Sequence, residues 1–231
     1  MTARTLFSTI AAVLLFATAS VSWGGTITIN DPTFIAPSCG TQGSSGIACG
    51  STDWVASGTT AGLFLPATTD PLQGEDGNLQ YGFVNSGSDL SQVLAATLQA
   101  NTTYVFSVDV GNRTNDSDTG FCQGCVFNPV ATLYAGTTTG GSPSAGDTNL
   151  GSASGSTPAV GSWDTWTLSF TTGSSPAGLG ETLVIDLSAA ANQGEFDNVS
   201  LYTVPEPSTM LLVGAGLVGL VAVRRRRRLA R

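Results

Sequence analysis

Histidine and lysine are both absent from the 231-residue sequence. Without them the chain can form neither a Ser–His–Asp triad nor a lysine Schiff base. A pair of carboxylates could still hydrolyse a glycosidic bond. Five acidic residues lie near the ends of predicted strands: Glu75, Asp76, Glu181, Glu195 and Asp197. Because acidic residues are frequent in this chain, the presence of these five is weak evidence for catalysis. We therefore expect a protein that is not an enzyme, with a glycoside hydrolase as an alternative.

Positive charge is nearly absent from the middle of the chain. Between residues 20 and 203, Arg113 stands alone against fifteen acidic residues, which gives that stretch a formal charge of −14. The other seven arginines lie at the two ends. A body so acidic repels phosphate backbones, which excludes nucleic acid as a partner. The same charge favours hard cations such as calcium.

Residues 1–19 have the features of a secretory signal peptide. Arg4 supplies the positive charge, residues 6–16 are predominantly apolar, and Ala17-Thr18-Ala19 is a small-x-small cleavage site, with Ser22 as a second candidate. The apolar run is too short to cross a membrane comfortably, so a retained anchor is the less favoured alternative. The remaining body is therefore predicted to be exported, and its length suits one domain.

The exported stretch contains four cysteines: Cys39, Cys49, Cys122 and Cys125. Export favours disulfides, and four cysteines allow three pairings. We predict Cys39–Cys49 and Cys122–Cys125, because each pair is close in sequence and flanked by glycine. A four-thiolate zinc site is an alternative, although the first spacing is wide for a zinc knuckle. A thioredoxin-like motif at residues 122–125 is weaker, since no strand–helix–strand pattern surrounds it.

Short alternating segments predict an all-β body. The clearest strand is Thr103–Val110, where Tyr104, Phe106, Val108 and Val110 share one face. Residues 90–98 fit a helix or a strand, and we favour a strand. Other strands are predicted at residues 26–29, 62–65, 79–84, 130–134, 163–171, 182–187 and 196–202, with a weak edge strand near 150–153. Many short strands separated by turn signals indicate a β-sandwich over residues 20–203.

Phe196-Asp197-Asn198-Val199-Ser200-Leu201 and the strand Thr103–Val110 resemble the galactose-binding-like jelly roll of many carbohydrate-binding modules. The resemblance implies a jelly-roll β-sandwich over about residues 26–202, with an aromatic-Asp-x-Val-x-Leu pattern on its last strand. Members of that family often hold a structural calcium near the first and last strands. Carried over by position, Asp197 and Asp31 would contribute ligands.

A second candidate calcium site lies in the oxygen-rich stretch at residues 112–118. Asp116 and Asp118 have an Asp-x-Asp spacing that could wrap a cation, but the twelve-residue EF-hand pattern is absent. A solvated turn is the favoured alternative. Apart from this structural calcium, we expect no cofactor.

Sugar-binding sites use exposed aromatic faces with polar groups around them. Trp163 and Trp166 lie three residues apart on a predicted strand and should face opposite sides. Trp166 shares its side with Leu168, which indicates the core, so Trp163 becomes the candidate glycan-binding residue. Trp54 and Tyr81 are further candidates. For each of the three, packing in or around the core is the favoured alternative.

The C-terminal tail, residues 204–231, contains three features in a fixed order. Pro205-Glu206-Pro207 comes first, an uncharged run at residues 208–223 follows, and the arginine-rich residues 224–231 close the chain. Counted from residue 207, the uncharged stretch would extend roughly 26 Å as a helix, close to the roughly 30 Å needed to cross a membrane. We predict a single transmembrane helix with the arginines in the cytoplasm and the body outside.

These features resemble the PEP-CTERM sorting signal. The resemblance implies that an exosortase recognises the tail, cleaves near Pro205-Glu206-Pro207 and releases or transfers the body. A plain anchor that is never cut is the alternative. We therefore expect an exported protein of the cell envelope, outer surface or extracellular matrix, transiently anchored in the membrane and associated with exopolysaccharide or biofilm. A glycan-binding module at the cell surface is the alternative within the binding proteins.

Overall fold

Two antiparallel sheets carry the fold. The computed structural model describes residues 24–58, 60–75, 77–113, 127–136 and 143–204, together with residue 216. Residues 24–204 belong to one unit. The predicted signal peptide, the sorting tail after Val204, the pair Cys122 and Cys125, and the pair Asp116 and Asp118 lie outside the described residues. Within the described residues, no helix has the length and apolar character needed to cross a membrane.

Eleven strands are present in the described stretches. They are β1 Ile47–Cys49, β2 Val55–Ser57, β3 Ala61–Leu65, β4 Tyr81–Asn85, β5 Asp89–Thr97, β6 Thr103–Gly111, β7 Pro129–Gly136, β8 Thr148–Ser152, β9 Trp163–Thr171, β10 Thr182–Ala189 and β11 Gln193–Val204. One sheet has the order β1-β3-β4-β11-β6-β9, and the other has the order β2-β5-β10-β7-β8. The predicted all-β sandwich is confirmed.

The strand predictions hold at most positions. Residues 90–97 lie in β5, so the favoured strand is confirmed there, and the weak edge strand near residues 150–153 is present as β8. The prediction was wrong at residues 26–29, where the structure has one isolated bridge from Thr26 to Tyr202 instead of a strand. It also missed β1 and β2, which have only three residues each and so carry almost no alternation.

The main core lies between the two sheets. Tyr104, Phe106, Val108 and Val110 of β6 are all buried there, which confirms the predicted alternation. Leu183, Ile185 and Leu187 of β10 are buried in the same cluster from the opposite sheet. Each such side chain contributes about 1.5–3 kcal/mol to folding when it is removed from water.

A second, smaller cluster contains Phe64, Leu72, Tyr81 and Phe83, with Trp163 packed against it. It lies on the outer face of the six-stranded sheet, because the neighbours Leu63 and Val84 point into the main core. The Arg113 guanidinium lies 3.9 Å from the centre of the Phe64 ring. It also pairs with Asp70 at 3.2 Å, with both side chains buried. Arg113, the one cationic side chain of the body, therefore stabilises the packing of this cluster.

The predicted disulfide between Cys39 and Cys49 is confirmed, with the two Cα atoms 5.5 Å apart. Cys49 ends β1, and Cys39 lies in the segment before that strand. The bond therefore ties this segment to the edge of the six-stranded sheet. The other predicted pair, Cys122 and Cys125, falls on residues that are not described.

Candidate functional site

The outer face of the five-stranded sheet carries an unusual set of side chains at its centre. Strand β10 is the middle strand of this sheet. Because its residues Leu183, Ile185 and Leu187 point into the core, Val184 and Asp186 must point to the opposite face. A carboxyl group therefore lies in the middle of a sheet face.

The strand register places Asp186 in a line of side chains that crosses the whole sheet. Ser91 of β5 pairs with Asp186 on one side, and Thr132 of β7 pairs with it on the other. Val55 of β2 pairs with Ser91, and Ser152 of β8 pairs with Thr132. We call these five residues the Asp186 row. Neighbouring strands are roughly 4.8 Å apart, so the row extends about 19 Å.

Hydroxyl groups and a second carboxyl surround Asp186. Ser188 hydrogen-bonds to the Asp186 carboxyl, and the negative charge of Asp89 acts on that carboxyl as well. The hydroxyls of Thr132 and Ser152 are 2.8 Å apart. Tyr134 hydrogen-bonds to Thr132, which links its phenol to the same row.

Asp186 is shielded from solvent, with only 7% of its surface exposed. Burial raises the pKa of its carboxyl to about 7, and the negative charge of Asp89 adds to that rise. The Oδ1 atom of Asp186 has no hydrogen-bond partner within the described residues. Burial also raises the pKa of the Tyr134 phenol, and the Asp186 charge raises it further.

This arrangement suits proton transfer. A carboxyl group with a pKa close to 7 is present in both protonation states near neutral pH, so it can give and retake a proton. No cation in the described stretch neutralises it, because Arg113 is paired with Asp70. Perturbed carboxyl groups of this kind are concentrated at functional sites. Val55 and Val93 on the same face are exposed and give the site an apolar side.

The three aromatic residues predicted to bind glycan do not form an exposed platform. Trp54 is buried against Phe34 and donates its Nε1–H to the carbonyl of Asp31 at 2.9 Å. Tyr81 is also fully buried, so for these two residues the exposed face that sugar binding needs is absent. The physical reason is that both rings fill hydrophobic clusters.

Trp163 is only partly buried, but it too has a packing role. Its ring meets Tyr81 edge-to-face at 5.4 Å between centroids, and its Nε1–H donates to the carbonyl of Gln73 at 2.8 Å. The predicted difference between the two β9 tryptophans is present, since Trp166 packs against the main core. Trp163 faces the second cluster instead.

The acidic residues predicted to hold calcium accept hydrogen bonds from the backbone. Asp31 accepts from the N–H groups of Ile35 at 2.8 Å and Ala36 at 3.2 Å. Asp197 is fully buried and accepts from the N–H groups of Asn198 at 2.8 Å and Glu75 at 3.2 Å. Among the described residues, no three His, Cys, Asp or Glu side chains are grouped to hold a metal ion. The donor set present here does not form a calcium cage, and a calcium site stays a prediction.

Asp197 and Glu75, two of the five acids considered for glycoside hydrolysis, are brought together by the fold. The Asn198 amide Nδ2 lies 3.4 Å from the Glu75 carboxylate. Burial raises the pKa of Asp197 to about 7, with backbone hydrogen bonds acting in the opposite direction. Glu195 is buried as well. Asp197 and Glu75 stabilise the contact between β11 and the segment around Glu75. None of these three acids lies on the Asp186 row.

Asp186 was not singled out from the sequence. Its signal is a lone carboxylate inside the apolar run Leu183-Val184-Ile185-Asp186-Leu187. Alternation alone would have placed it opposite the core, as an ordinary exposed residue. What marks it as unusual is its burial on that outer face, which only the tertiary structure reveals.

The fold and the tail define a class of exported, all-β sandwich proteins. Residues 203–227 match the PEP-CTERM protein-sorting motif, which confirms the predicted sorting signal and indicates an exported, envelope-directed protein. Residues 25–202, which form most of the chain, match the family HpiC1-like, described as HpiC1 cyclase. The chain belongs to the HpiC1-like family.

Solved structures share the sandwich fold. The Stig cyclase Fisc from Fischerella sp. TAU, in complex with (3Z)-3-(1-methyl-2-pyrrolidinylidene)-3H-indole, is 20% identical with a TM-score of 0.57, covering 79% of this chain and 99% of the cyclase. A cyclase from Fischerella sp. TAU in complex with 4-(1H-indol-3-yl)butan-2-one is 19% identical with a TM-score of 0.56, covering 78% and 98%.

Carbohydrate-binding modules are more distant. A CBM4 structure is 16% identical with a TM-score of 0.38, covering 77% of this chain and 100% of the module. No curated protein sequence matches the chain significantly. The two cyclase structures support the shared fold, and at their level of identity they assign no residue roles.

Proposed function

We propose that this exported protein binds a small molecule on the outer face of the five-stranded sheet and that Asp186 donates a proton to it. The observation that supports this most is the buried Asp186 carboxyl, whose Oδ1 atom has no partner within the described residues. A polar atom so placed costs free energy unless a ligand or solvent satisfies it. Membership of a family described as a cyclase favours a reaction over binding alone.

An acid-assisted ring closure balances without an oxidant or a second substrate. The protonated Asp186 carboxyl gives its proton to a double bond of the ligand, which creates a cation. An internal nucleophile of the ligand closes the ring, and a proton returns to the Asp186 carboxylate. The hydroxyls of Ser91 and Thr132 flank the carboxyl along the row and serve to orient the ligand. The product is an isomer of the starting compound.

The ligand must be neutral or positively charged. The face presents two carboxyl groups, Asp186 and Asp89, and no cationic side chain from the described part of the sheet. A phosphate or carboxylate ligand would therefore meet only like charge. Val55 and Val93 supply the apolar contacts.

Calorimetric titration of the exported protein with 4-(1H-indol-3-yl)butan-2-one tests the site. We expect saturable binding at pH 6, weakened at least tenfold by Asp186→Asn. Asp164→Asn, on strand β9 of the other sheet, serves as the matched control and should leave the affinity unchanged. Equal binding by all three proteins would exclude the Asp186 row as the ligand site.

A second candidate function is association with a surface polysaccharide in an extracellular matrix or biofilm. It is supported by the sorting motif and by the exposed hydroxyl side chains along β9, which are Thr165, Thr167, Ser169 and Thr171. Co-sedimentation with exopolysaccharide from the host tests this proposal. A double variant Thr167→Ala and Thr171→Ala should reduce co-sedimentation, while Asp186→Asn should not. The opposite pattern would assign glycan binding to the five-stranded sheet instead.

A further inference from the structure

The end of the last strand, β11, is hydrogen-bonded to the segment at residues 25–27. Tyr202, Thr203 and Val204 pair with β6 along one edge. Along the other edge, the N–H of Thr203 donates to the carbonyl of Gly25 at 3.0 Å, and the N–H of Ile27 donates to the carbonyl of Leu201 at 2.8 Å. The N–H of Gly25 also donates to the Thr203 hydroxyl at 3.2 Å. The end of β11 is therefore fixed on both sides.

The contact between β11 and this segment forms an exposed and partly apolar surface. Tyr202 is 41% exposed and Val204 is 38% exposed, both high values for such side chains. A shallow cavity of about 290 Å³ opens beside them, lined by Gly24, Gly25, Thr26, Tyr202, Thr203 and Val204. We call these six residues the terminal surface. None of them carries a charge, although the body as a whole is strongly acidic.

The sorting motif follows the terminal surface with no linker. The matched region begins at residue 203, and Pro205-Glu206-Pro207 comes directly after Val204. Three residues reach at most about 11 Å, even when fully extended. A folded enzyme that acts on these residues must therefore lie against the body. Stable protein contacts typically cover roughly 800 Å² on each partner, so contact with the body would add to the area that the sorting tail itself offers.

We infer that the terminal surface is a docking surface for the enzyme that processes the sorting tail. The inference rests on that processing, which the sorting motif implies. The Tyr202 ring and the Val204 side chain provide apolar contact, and the two glycines leave the backbone open to close approach. Because none of the six residues carries a charge, contact at this surface desolvates no charged side chain.

The test follows processing of the full chain in its host. Tyr202→Ser and Val204→Thr shorten the apolar side chains and leave the strand backbone intact. Pulse-chase labelling with mass spectrometry of the C-terminus measures the rate at which the tail is lost. We expect the double variant to be processed at least fivefold more slowly than the unchanged chain. Leu179→Ser and Val160→Thr are matched controls, since these side chains are 49% and 46% exposed elsewhere on the body. Both controls should be processed at the normal rate.

A linker insertion separates docking from simple steric access. Twelve Gly and Ser residues placed between Val204 and Pro205 move the motif away from the terminal surface. If the surface docks the enzyme, this insertion slows processing, and Tyr202→Ser has no further effect in the lengthened chain. Faster processing of the lengthened chain would show that the surface obstructs the enzyme, which overturns the inference. Normal processing of the Tyr202 and Val204 variants would overturn it as well.

If the sorting tail is not processed at all, the experiment gives a different result. If the unchanged chain keeps Arg231 in its surface form, the tail is not processed, and the sorting proposal fails together with the docking inference. Circular dichroism and thermal melting of each exported variant show whether it keeps the fold. A variant that is processed slowly but melts normally supports docking. If the double variant unfolds, the linker insertion decides the question, because it leaves the residues of the body unchanged.

Discussion

Asp186 and Asp197 lie on the outer faces of opposite sheets, and burial raises the pKa of each to about 7. Their surroundings differ. Asp197, on the six-stranded sheet, accepts two backbone N–H groups and sits beside Glu75. Asp186, on the five-stranded sheet, has the Ser188 hydroxyl near it and an Oδ1 atom without a partner among the described residues.

This difference shows that a raised pKa alone does not identify a functional group. Backbone N–H donors make Asp197 part of the fold, because they hold a segment against the last strand. Asp186 fixes no backbone segment in the described structure. The free-energy cost of burying its carboxyl is therefore not offset by backbone hydrogen bonds there. Such a cost is typical of a site that is kept for a ligand or a reaction.

The largest expected effect concerns the six-stranded sheet. Replacing Arg113 by Ala leaves Asp70 as a buried carboxylate without its cation. We expect a loss of about 3–5 kcal/mol in the free energy of unfolding, measured by urea denaturation. The double variant Arg113→Met and Asp70→Asn should lose less, because no uncompensated charge remains. A loss below about 1 kcal/mol for Arg113→Ala would contradict the structural role of this pair.

Asp186→Asn should stabilise the protein at high pH. A carboxyl with a pKa of 3.8 in the unfolded chain and about 7 in the fold binds its proton more tightly when folded. Stability is therefore greatest below the unfolded pKa and falls as the pH rises from about 4 to about 7. The amide does not ionise, so the variant should exceed the unchanged protein by about 2–4 kcal/mol at pH 8 and match it near pH 3, where the carboxyl is protonated in both the folded and the unfolded chain.

Urea denaturation at pH 3 and pH 8 checks this expectation. If Asp186→Asn costs stability at both pH values, the carboxyl contributes to the fold in the way Asp197 does. In that case the contrast between the two sheets disappears. If the variant is stabilised but no longer binds ligand, the contrast is sharpened.

Asp197→Asn should give a smaller change of opposite sign. The amide keeps one oxygen acceptor, but its Nδ2 cannot accept the N–H group of Glu75. At pH 3, where the carboxyl is protonated in both the folded and the unfolded chain, we expect a loss of about 1–2 kcal/mol. Hydrogen exchange of the Glu75 amide should also become faster. An unchanged exchange rate would mean that Asp197 does not hold this segment.

The strand pattern was predictable because it depends on local alternation. The β6 and β9 predictions were confirmed, since long strands with one buried face repeat their apolar residues every second position. β1 and β2 were not predictable, because three residues give no period. The residues of the Asp186 row are far apart in the sequence, and only the pairing of five strands aligns them.

The sequence by itself determined the sorting signal, the all-β class and the Cys39–Cys49 bond, because each depends on composition, order or short spacing. The tertiary structure decided which aromatic and acidic groups are exposed or free to contact a ligand. It buried Trp54 and Tyr81 in hydrophobic clusters, where packing outweighs any exposed role. It also buried the Asp186 carboxyl, whose Oδ1 atom has no hydrogen-bond partner among the described residues. Burial and partnering depend on residues that are distant in the chain, so no local pattern in the sequence contains them.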